Sequence, residues 1–208
     1  MNLEALRQTA ELLIRCATSE AELTLSQMEE AISSALARGN KLMLCGNGGS
    51  AADAQHLAAE LLVRLRPDVN RQGIPAIALT MDASTLSGYA NDYGFEGVFE
   101  RMVQTIGQPG DLLVGISTSG QSENVVRALR AAQAMNIVTV GLLGGGGGAA
   151  LGACDHAFVV PSNDTAMIQT VHITVGHALL IGVEDALIER GVVDRTDTAP
   201  LAPETAIE

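Results

Sequence analysis

The sequence predicts a single α/β domain built around a doubly wound, mostly parallel sheet. After residue 40, five short apolar runs alternate with segments of helical periodicity, which is the order that βαβ units produce. Each run is apolar throughout rather than at every second position, as expected for strands covered on both faces. The 208 residues suffice for one substantial core, and no internal repeat or domain boundary is visible. We expect five strands in the flavodoxin-like order 2-1-3-4-5.

Two amphipathic helices are predicted before the first strand, within residues 3–38. Thr18 or Ser19 can cap the second helix, and Gly39 can end it. These helices have no obvious role in an α/β core. The sequence leaves two arrangements open: they pack on another subunit, or they cover one face of their own sheet.

The remaining elements follow in alternation. In chain order we predict strand 41–45, helix 50–65, strand 74–79, helix 83–106, strand 111–116, helix 121–135, strand 137–143, strand 157–160 and helix 164–190. The domain is expected to span residues 1–193, including the helical pair within 1–38. The acidic tail 194–208, with two prolines, is expected to be disordered. Ligands of such sheets bind beyond the carboxyl ends of the strands.

The composition excludes several classes of function. The net charge is −12 and Lys41 is the only lysine, so we expect neither nucleic acid nor a membrane as a partner. A phosphorylated small molecule is compatible, because backbone amides and hydroxyl groups hold phosphate without a basic patch. The cysteines (Cys16, Cys45, Cys154) fit neither a disulfide framework nor a metal motif. With no signal peptide and no apolar run near ~20 residues, a cytoplasmic protein is predicted.

A glycine-rich turn at residues 46–50 links the first strand to the helix that carries His56 and Glu60. Four residues advance a helix by about 400°, so the imidazole and the carboxylate lie about 40° apart on one face. Beside a helix N-terminus, which attracts anions, such a pair can serve acid–base chemistry or bind a metal. Taken alone, the spacing is more typical of a surface or structural pair.

A second turn, residues 117–122, follows the third strand and precedes a helix. Its four hydroxyl groups and free amides suit a phosphomonoester, whereas an ordinary N-cap needs only one hydroxyl. It is not a Walker A loop, and residues 46–49 lack the dinucleotide pattern GxGxxG. The five consecutive glycines at 144–148 can form a phosphate nest, but we expect a flexible loop.

Polar residues on two other helices are further candidates. Asn91 and Asp92 end a helix on the ligand side, where they either contact sugar hydroxyls or cap the helix. On the last helix Gln169 and His177 lie about 80° apart, two turns along one broad face. His172 lies about 140° from His177 and points elsewhere. An isolated histidine on an apolar helix is usually a core residue, so the pattern alone does not assign His177 a role.

Together, four motifs resemble the phosphoheptose isomerases, which are sugar-isomerase (SIS) domain proteins. The motifs are Gly-Asn-Gly-Gly-Ser-Ala-Ala-Asp-Ala-Gln-His with a glutamate four residues later (46–60), Ala-Asn-Asp-Tyr-Gly (90–94), Gly-Ile-Ser-Thr-Ser-Gly-Gln-Ser (115–122) and Ile-Gln with a histidine eight residues later (168–177). The resemblance extends from the N-terminal helices to about residue 190. It implies a five-stranded parallel sheet, a homotetramer with active sites shared between subunits, and no organic cofactor. The implied reaction interconverts sedoheptulose 7-phosphate and D-glycero-D-manno-heptose 7-phosphate.

The resemblance also implies roles for individual residues. Glu60 corresponds to the base that moves a proton through an enediol, and His177 to an acid/base contributed by another subunit. Residues corresponding to the substrate-binding positions are Asn47, Gly48, Gly49, Ser50, Asn91, Asp92 and Gln169 for the sugar, and Ser117, Thr118, Ser119 and Ser122 for the phosphate. A site for one zinc ion per subunit, found in some members, corresponds to His56, Glu60, Gln169 and His177.

The chain departs from the resembled family at three places. Thr170 stands where many members carry glutamate, the run 144–148 is richer in glycine, and the acidic tail is additional. Three alternatives accompany the enzyme prediction. They are a non-catalytic relative that associates with the replication initiator and lacks the acid and base at positions 60 and 177, a phosphosugar-sensing module, and an isomerase of another phosphosugar.

Overall fold

The fold was taken from a computed structural model, which describes residues 3–195. Eight α-helices and five strands occur in that range. In chain order they are α1 (Glu4–Cys16), α2 (Ser19–Ala37), β1 (Leu42–Gly46), α3 (Gly49–Leu62), β2 (Ala76–Ala78), α4 (Ala83–Tyr93), α5 (Val98–Ile106), β3 (Leu112–Ser117), α6 (Glu123–Ala134), β4 (Val138–Leu143), α7 (Gly148–Leu151), β5 (His156–Val159) and α8 (Thr165–Glu189). Of the tail predicted to be disordered, all but residues 194 and 195 lies outside the described range.

The five strands form one parallel sheet in the order β2-β1-β3-β4-β5, which confirms the predicted topology. The chain reverses direction of winding between β1 and β3, which are neighbours. In their register Gly46 pairs with Ile116, so the turns that follow β1 and β3 begin side by side. This edge is where a doubly wound sheet binds its ligands.

Core residues lie on both faces of the sheet. Along β1, Leu42 and Leu44 join one apolar cluster, while Met43 and Cys45 join the other. Residues of α2, α3 and α8 cover the first face, and residues of α5 and α6 cover the second. Continuous burial along the strands is therefore explained by helices on both sides.

The two N-terminal helices differ in how they pack. Helix α2, which Thr18 caps by accepting from the Ala21 amide at 3.2 Å, buries Met28 and Ile32 in the chain's own core. Of the α1 residues, Leu12 alone is buried, and Ile14 stays 74% exposed. The arrangement in which the helices cover their own chain is therefore realised by α2 but not by most of α1.

Two segments differ from the sequence prediction. The helix predicted for 83–106 is interrupted, because Gly94 adopts a φ of 93° and separates α4 from a short 3-10 turn at 95–97 and α5. The run 144–148 is not an unstructured loop. Gly145 to Gly147 form a 3-10 turn that leads into α7, and the glycines from 145 to 148 all have positive φ.

Helix α8 is long and apolar enough, by length and composition, to cross a membrane. Its contacts identify it instead as a core helix, because it packs against α2 and α3 and buries both His172 and Glu184.

An ion pair joins the residue before β1, Lys41, to the residue before β3, Asp111. Asp111 accepts hydrogen bonds from the Lys41 amide at 3.0 Å, from Lys41 Nζ at 2.5 Å and from the Gln108 amide at 2.8 Å. Burial raises the pKa of Asp111, but these hydrogen bonds outweigh it and hold the pKa below its usual range.

Candidate active site

Helices α3 and α8 lie side by side and bring three ionisable groups together. Gly176 permits the close approach, since a β-carbon there would lie 2.8 Å from the Leu57 side chain. His56 Nε2 lies 2.8 Å from His177 Nε2 and 3.3 Å from Glu60 Oε1. We expected His177 from another subunit, but it reaches His56 within one chain. Glu60 is the more enclosed of the α3 pair, with 18% of its side chain exposed against 48% for His56.

These three residues can hold a metal ion. One ligand atom from each lies within 4.8 Å of the others. Two ligands of a tetrahedral zinc ion, each at about 2.0–2.1 Å from it, are separated by ~3.3 Å. The distance from His56 to Glu60, 3.3 Å, matches that value, and the distance from His56 to His177, 2.8 Å, is shorter. Two imidazoles with one carboxylate leave a fourth position open, as in catalytic zinc sites.

Gln169, the fourth predicted ligand, lies apart from this cluster in a single chain. A β-carbon at Gly49 would overlap the Gln169 amide, so that amide sits at the first residue of α3. Eight residues separate Gln169 from His177, which is about 12 Å along the helix axis. The two residues share one broad face, but the two helical turns between them already separate them along the axis by more than one metal ion spans.

The serine-rich turn after β3 also has the predicted form. Ser117 ends β3, and its buried hydroxyl lies 3.1 Å from the Ser122 hydroxyl, whose residue precedes α6. Ser119 Oγ accepts from the Gln121 amide at 3.1 Å, while Thr118 is partly exposed. Hydroxyl groups from two ends of one tight turn, beside a helix N-terminus, are the groups that a phosphate cradle uses.

Asn124 is a site residue that sequence reasoning missed. Its side-chain amide exchanges two hydrogen bonds with that of Asn47, at 2.8 and 2.9 Å, and its Oδ1 also accepts from the Val125 amide. The pair joins the turn after β1 to the turn after β3. Much of the hydrogen-bonding capacity of Asn47 is therefore used within the protein, and its role toward sugar stays a prediction. The sequence showed only a polar residue in the first turn of the predicted helix. That Asn124 is buried there is known from the structure.

The turn after β1 is built around its glycines. Gly48 has φ 56° and ψ −121°, a conformation open only to glycine, and it directs the chain into α3. Ser50, predicted to bind substrate, is buried in the first turn of α3, and its amide donates to the Asn47 carbonyl. Asn91 and Asp92 end α4, where Asn91 Nδ2 donates to Asp92 Oδ1 at 2.8 Å, and both are exposed. Their predicted sugar contacts stay predictions.

The glycine run after β4 packs directly on the serine-rich turn. Gly120 has φ 63°, and a β-carbon there would overlap the Gly147 carbonyl. Its own carbonyl accepts from the Ala150 amide at 2.9 Å, while the Gly144 amide donates to the Ser117 carbonyl at 3.1 Å. The backbone of the glycine run is therefore in direct contact with the backbone of the serine-rich turn, and the glycines border the candidate phosphate site.

Asp53 is a second residue that sequence reasoning missed. It precedes His56 by one helical turn, and among the described residues its Oδ2 is buried without a hydrogen-bond partner. Burial raises the pKa of this carboxyl, and the nearby His56 and His177 oppose the shift. The i, i+3, i+7 spacing of Asp53, His56 and Glu60 was the signal that could have found it.

Comparison with known proteins adds an independent observation. The family model described as "SIS domain" matches residues 6–144. A phosphoheptose isomerase of Nitratidesulfovibrio vulgaris (strain Miyazaki F) is 57% identical over 144 residues, covering 69% of this chain and 68% of the relative. One from Aquifex aeolicus is 50% identical over 159 residues, covering 76% and 82%. The structure of a phosphoheptose isomerase from Neisseria gonorrhoeae superposes with a TM-score of 0.81 at 36% identity, covering 88% of this chain and 96% of that one. One from Francisella tularensis gives 0.83 at 33% identity, covering 88% and 95%.

Proposed function

This chain belongs to the SIS-domain phosphoheptose isomerases, and we propose how its residues interconvert sedoheptulose 7-phosphate and D-glycero-D-manno-heptose 7-phosphate. The observation that carries the proposal is the meeting of Glu60 and His177 through His56. A ketose–aldose isomerase needs one group that removes a carbon-bound proton and another that serves the oxygens. The non-catalytic alternative is not favoured, since this chain carries both groups.

In the ketose-to-aldose direction, the Glu60 carboxylate removes a proton from C1 while His177 donates a proton to the C2 carbonyl oxygen. The product is an enediol with hydroxyl groups on C1 and C2. Glu60 then returns its proton to C2, and His177 takes the proton of the C1 hydroxyl as the C1 aldehyde forms. Both residues end in their starting protonation states. His56, within reach of each, holds the two side chains in place.

The phosphate anchors the far end of the seven-carbon chain. The hydroxyl groups of residues 117–122 and the amides at the start of α6 lie at the carboxyl edge of β3. Binding energy gained there orients the reacting end without taking part in the proton transfers. The sugar contacts assigned to residues 47–50, 91, 92 and 169 belong to this part of the proposal.

We further propose one zinc ion per subunit, held by one atom each of His56, Glu60 and His177, which would leave the second carboxylate oxygen of Glu60 and the second ring nitrogen of His177 for the proton transfers. When bound, a zinc ion polarises a carbonyl group and so makes the neighbouring C–H more acidic. The contribution of Gln169 as a ligand would then come from a second subunit, because it lies apart from the other three in one chain.

A homotetramer with shared sites is the proposed assembly, in the cytoplasm, with no nucleic acid or membrane as a partner. Leu3, Leu6 and Ile14 of α1 are exposed. A groove of about 710 Å³ lies between α1, α2 and α8, and Leu13 and Cys16 of α1 line it. Exposed apolar surface of this kind is typical of an interface between subunits.

The direct experiment follows aldose formation from sedoheptulose 7-phosphate, with and without a chelator. Glu60→Gln and His177→Ala should each lower kcat by on the order of 10²–10⁴-fold while the fold is retained, because each removes one proton-transfer group. Glu189→Gln, an exposed change at the end of α8, serves as the matched control and should retain full activity. Full activity of either site variant would exclude the mechanism, and unchanged turnover after complete metal removal would exclude catalysis by zinc.

A further inference from the structure

A buried charge cluster lies directly behind the Glu60 end of α3. After α3 the chain turns back, and the side chain of Arg71 is fully buried under the last turn of the helix. Arg71 Nη2 donates to the Glu60 carbonyl at 2.9 Å, and Nη1 donates to the Leu61 carbonyl at 2.8 Å. The final carbonyls of a helix have no partner within it, so Arg71 caps α3 and holds the backbone of Glu60 itself.

The same arginine is joined to α8. Glu184, whose side chain is fully buried, accepts from Arg71 Nε at 2.5 Å through one oxygen and from Arg66 Nε at 2.7 Å through the other. Arg66 also pairs with Asp185 at the surface. Glu184 follows His177 by seven residues, so it lies within about 20° of the same face of α8, two turns further on. One buried carboxylate thus connects the end that carries Glu60 to the helix that carries His177.

Stability alone does not explain why this chain has a buried charge cluster. Removing two charges from water is costly, and apolar replacements of a buried ion pair are often neutral or stabilising. What the cluster does supply is geometry, because each guanidinium hydrogen bond has a defined direction and length. Nearer the site, the helix backbones touch through the apolar contact of Gly176 with Leu57, and the hydrogen bond between His56 and His177 joins side chains that can turn about their own bonds.

We propose that Arg71 and Glu184 are positioning residues that fix α3 against α8 along their common axis, and so set the separation of Glu60 from His177. The proposal rests on the roles proposed above for those two residues. A displacement of about 1 Å between reacting groups can cost on the order of 10²-fold in rate. The cluster lies on α3 and α8 and makes no use of the serine-rich turn, so it should act on kcat rather than on phosphate binding.

The test replaces the pair by apolar side chains of similar length, Arg71→Met with Glu184→Met. We expect a folded protein, less stable because the Glu60 and Leu61 carbonyls lose their donor, with kcat at least about tenfold lower and KM for sedoheptulose 7-phosphate unchanged. Arg71→Lys is the second variant. It keeps the positive charge beside Glu184 but cannot donate to the Glu60 and Leu61 carbonyls at once. We therefore expect kcat to fall several-fold at unchanged KM.

The Lys41–Asp111 pair provides a matched control, because it is an ion pair with a buried carboxylate whose hydrogen bonds reach neither α3 nor α8. Lys41→Met with Asp111→Leu should lower stability and leave kcat unchanged. An unchanged kcat in the Arg71/Glu184 double variant would overturn the proposal, as would a loss that appears in KM. If the double variant does not fold, an unchanged kcat in Arg71→Lys overturns it. Should Glu60→Gln remain active, the proposed function fails instead, whatever these variants do.

Discussion

His172 is a polar, titratable side chain in the apolar core. It is fully buried on α8, and among the described residues neither ring nitrogen has a hydrogen-bond partner. Burial lowers the pKa of this imidazole, and the nearby Leu143 backbone opposes the shift only in part. Because the folded-state pKa lies below the unfolded value of about 6.5, the unfolded chain takes up the proton first as the pH falls.

The stability of the protein should therefore depend on pH through His172. The contribution is fully present above pH ~6.5 and is lost as the pH falls toward the lowered folded-state pKa. In urea titrations from pH 7.5 to 5, the free energy of unfolding should decline more steeply for the wild type than for His172→Leu. The carboxylate of Asp111, with its lowered pKa, loses its contribution only at more acidic pH. Equal slopes for the two proteins would show that His172 is not the source.

Sequence reasoning at the residue scale succeeded where one helix or one turn held the whole pattern. The spacing of His56 and Glu60 fixed their common face, and the four hydroxyls marked the serine-rich turn. It failed where two elements had to meet. The contact of His56 with His177 and the Asn47–Asn124 pair depend on how separate elements pack, which no periodicity records.

The glycine segment 144–148 is the element that departs furthest from expectation. Its positive φ angles and its contact with Gly120 are conditions that only glycine meets without strain. The candidate phosphate cradle at residues 117–122 depends on the path of the backbone packed against it, because that backbone fixes where its hydroxyl groups and amides lie.

Gly148→Ala should weaken substrate binding through this segment. Gly148 has φ 52°, and a β-carbon there would lie 2.6 Å from the Gly120 carbonyl, so the serine-rich turn must move. We expect KM to rise several-fold with a smaller change in kcat, measured by steady-state kinetics with sedoheptulose 7-phosphate.

Two controls separate the causes of such an effect. Gly152→Ala meets open space at an ordinary φ of −72° and should be neutral. Gly146→Ala meets open space at φ 73°, so it carries the backbone strain without the contact. A KM equally raised in Gly146→Ala would assign the effect to strain rather than to the contact with Gly120.

At the scale of elements, the strand order followed from the alternation of apolar runs and helices. The break after α4 did not, because a single glycine in a helical pattern does not reveal whether its φ is positive. Gly94 takes φ 93° and divides the predicted helix, whereas Gly88, inside α4, leaves the helix intact.

At the scale of the whole molecule, the exposed apolar side chains of α1 bear on the assembly. Leu6 and Ile14 of α1 are 69% and 74% exposed. If they pack against another subunit in the proposed tetramer, introducing charge there removes the apolar contact and buries an unpaired carboxylate in its place.

Leu6→Glu with Ile14→Glu should yield a smaller assembly than the wild type in size-exclusion chromatography with light scattering. Gln8→Lys, about 160° around α1 from Leu6, is the matched control and should retain the wild-type mass. A monomeric wild type at micromolar concentration would exclude the oligomer, and an unchanged mass in the double variant would remove α1 from the interface.

The ion pair at the amino ends of β1 and β3 makes the protein suited to amine-directed labelling. Lys41, the only lysine, has its ammonium group bound to Asp111, and 27% of its side chain is exposed. An acylating reagent can modify that amine only when it is deprotonated and released from the carboxylate. The rate of acylation at this position, read by mass spectrometry, therefore measures how often this ion pair breaks.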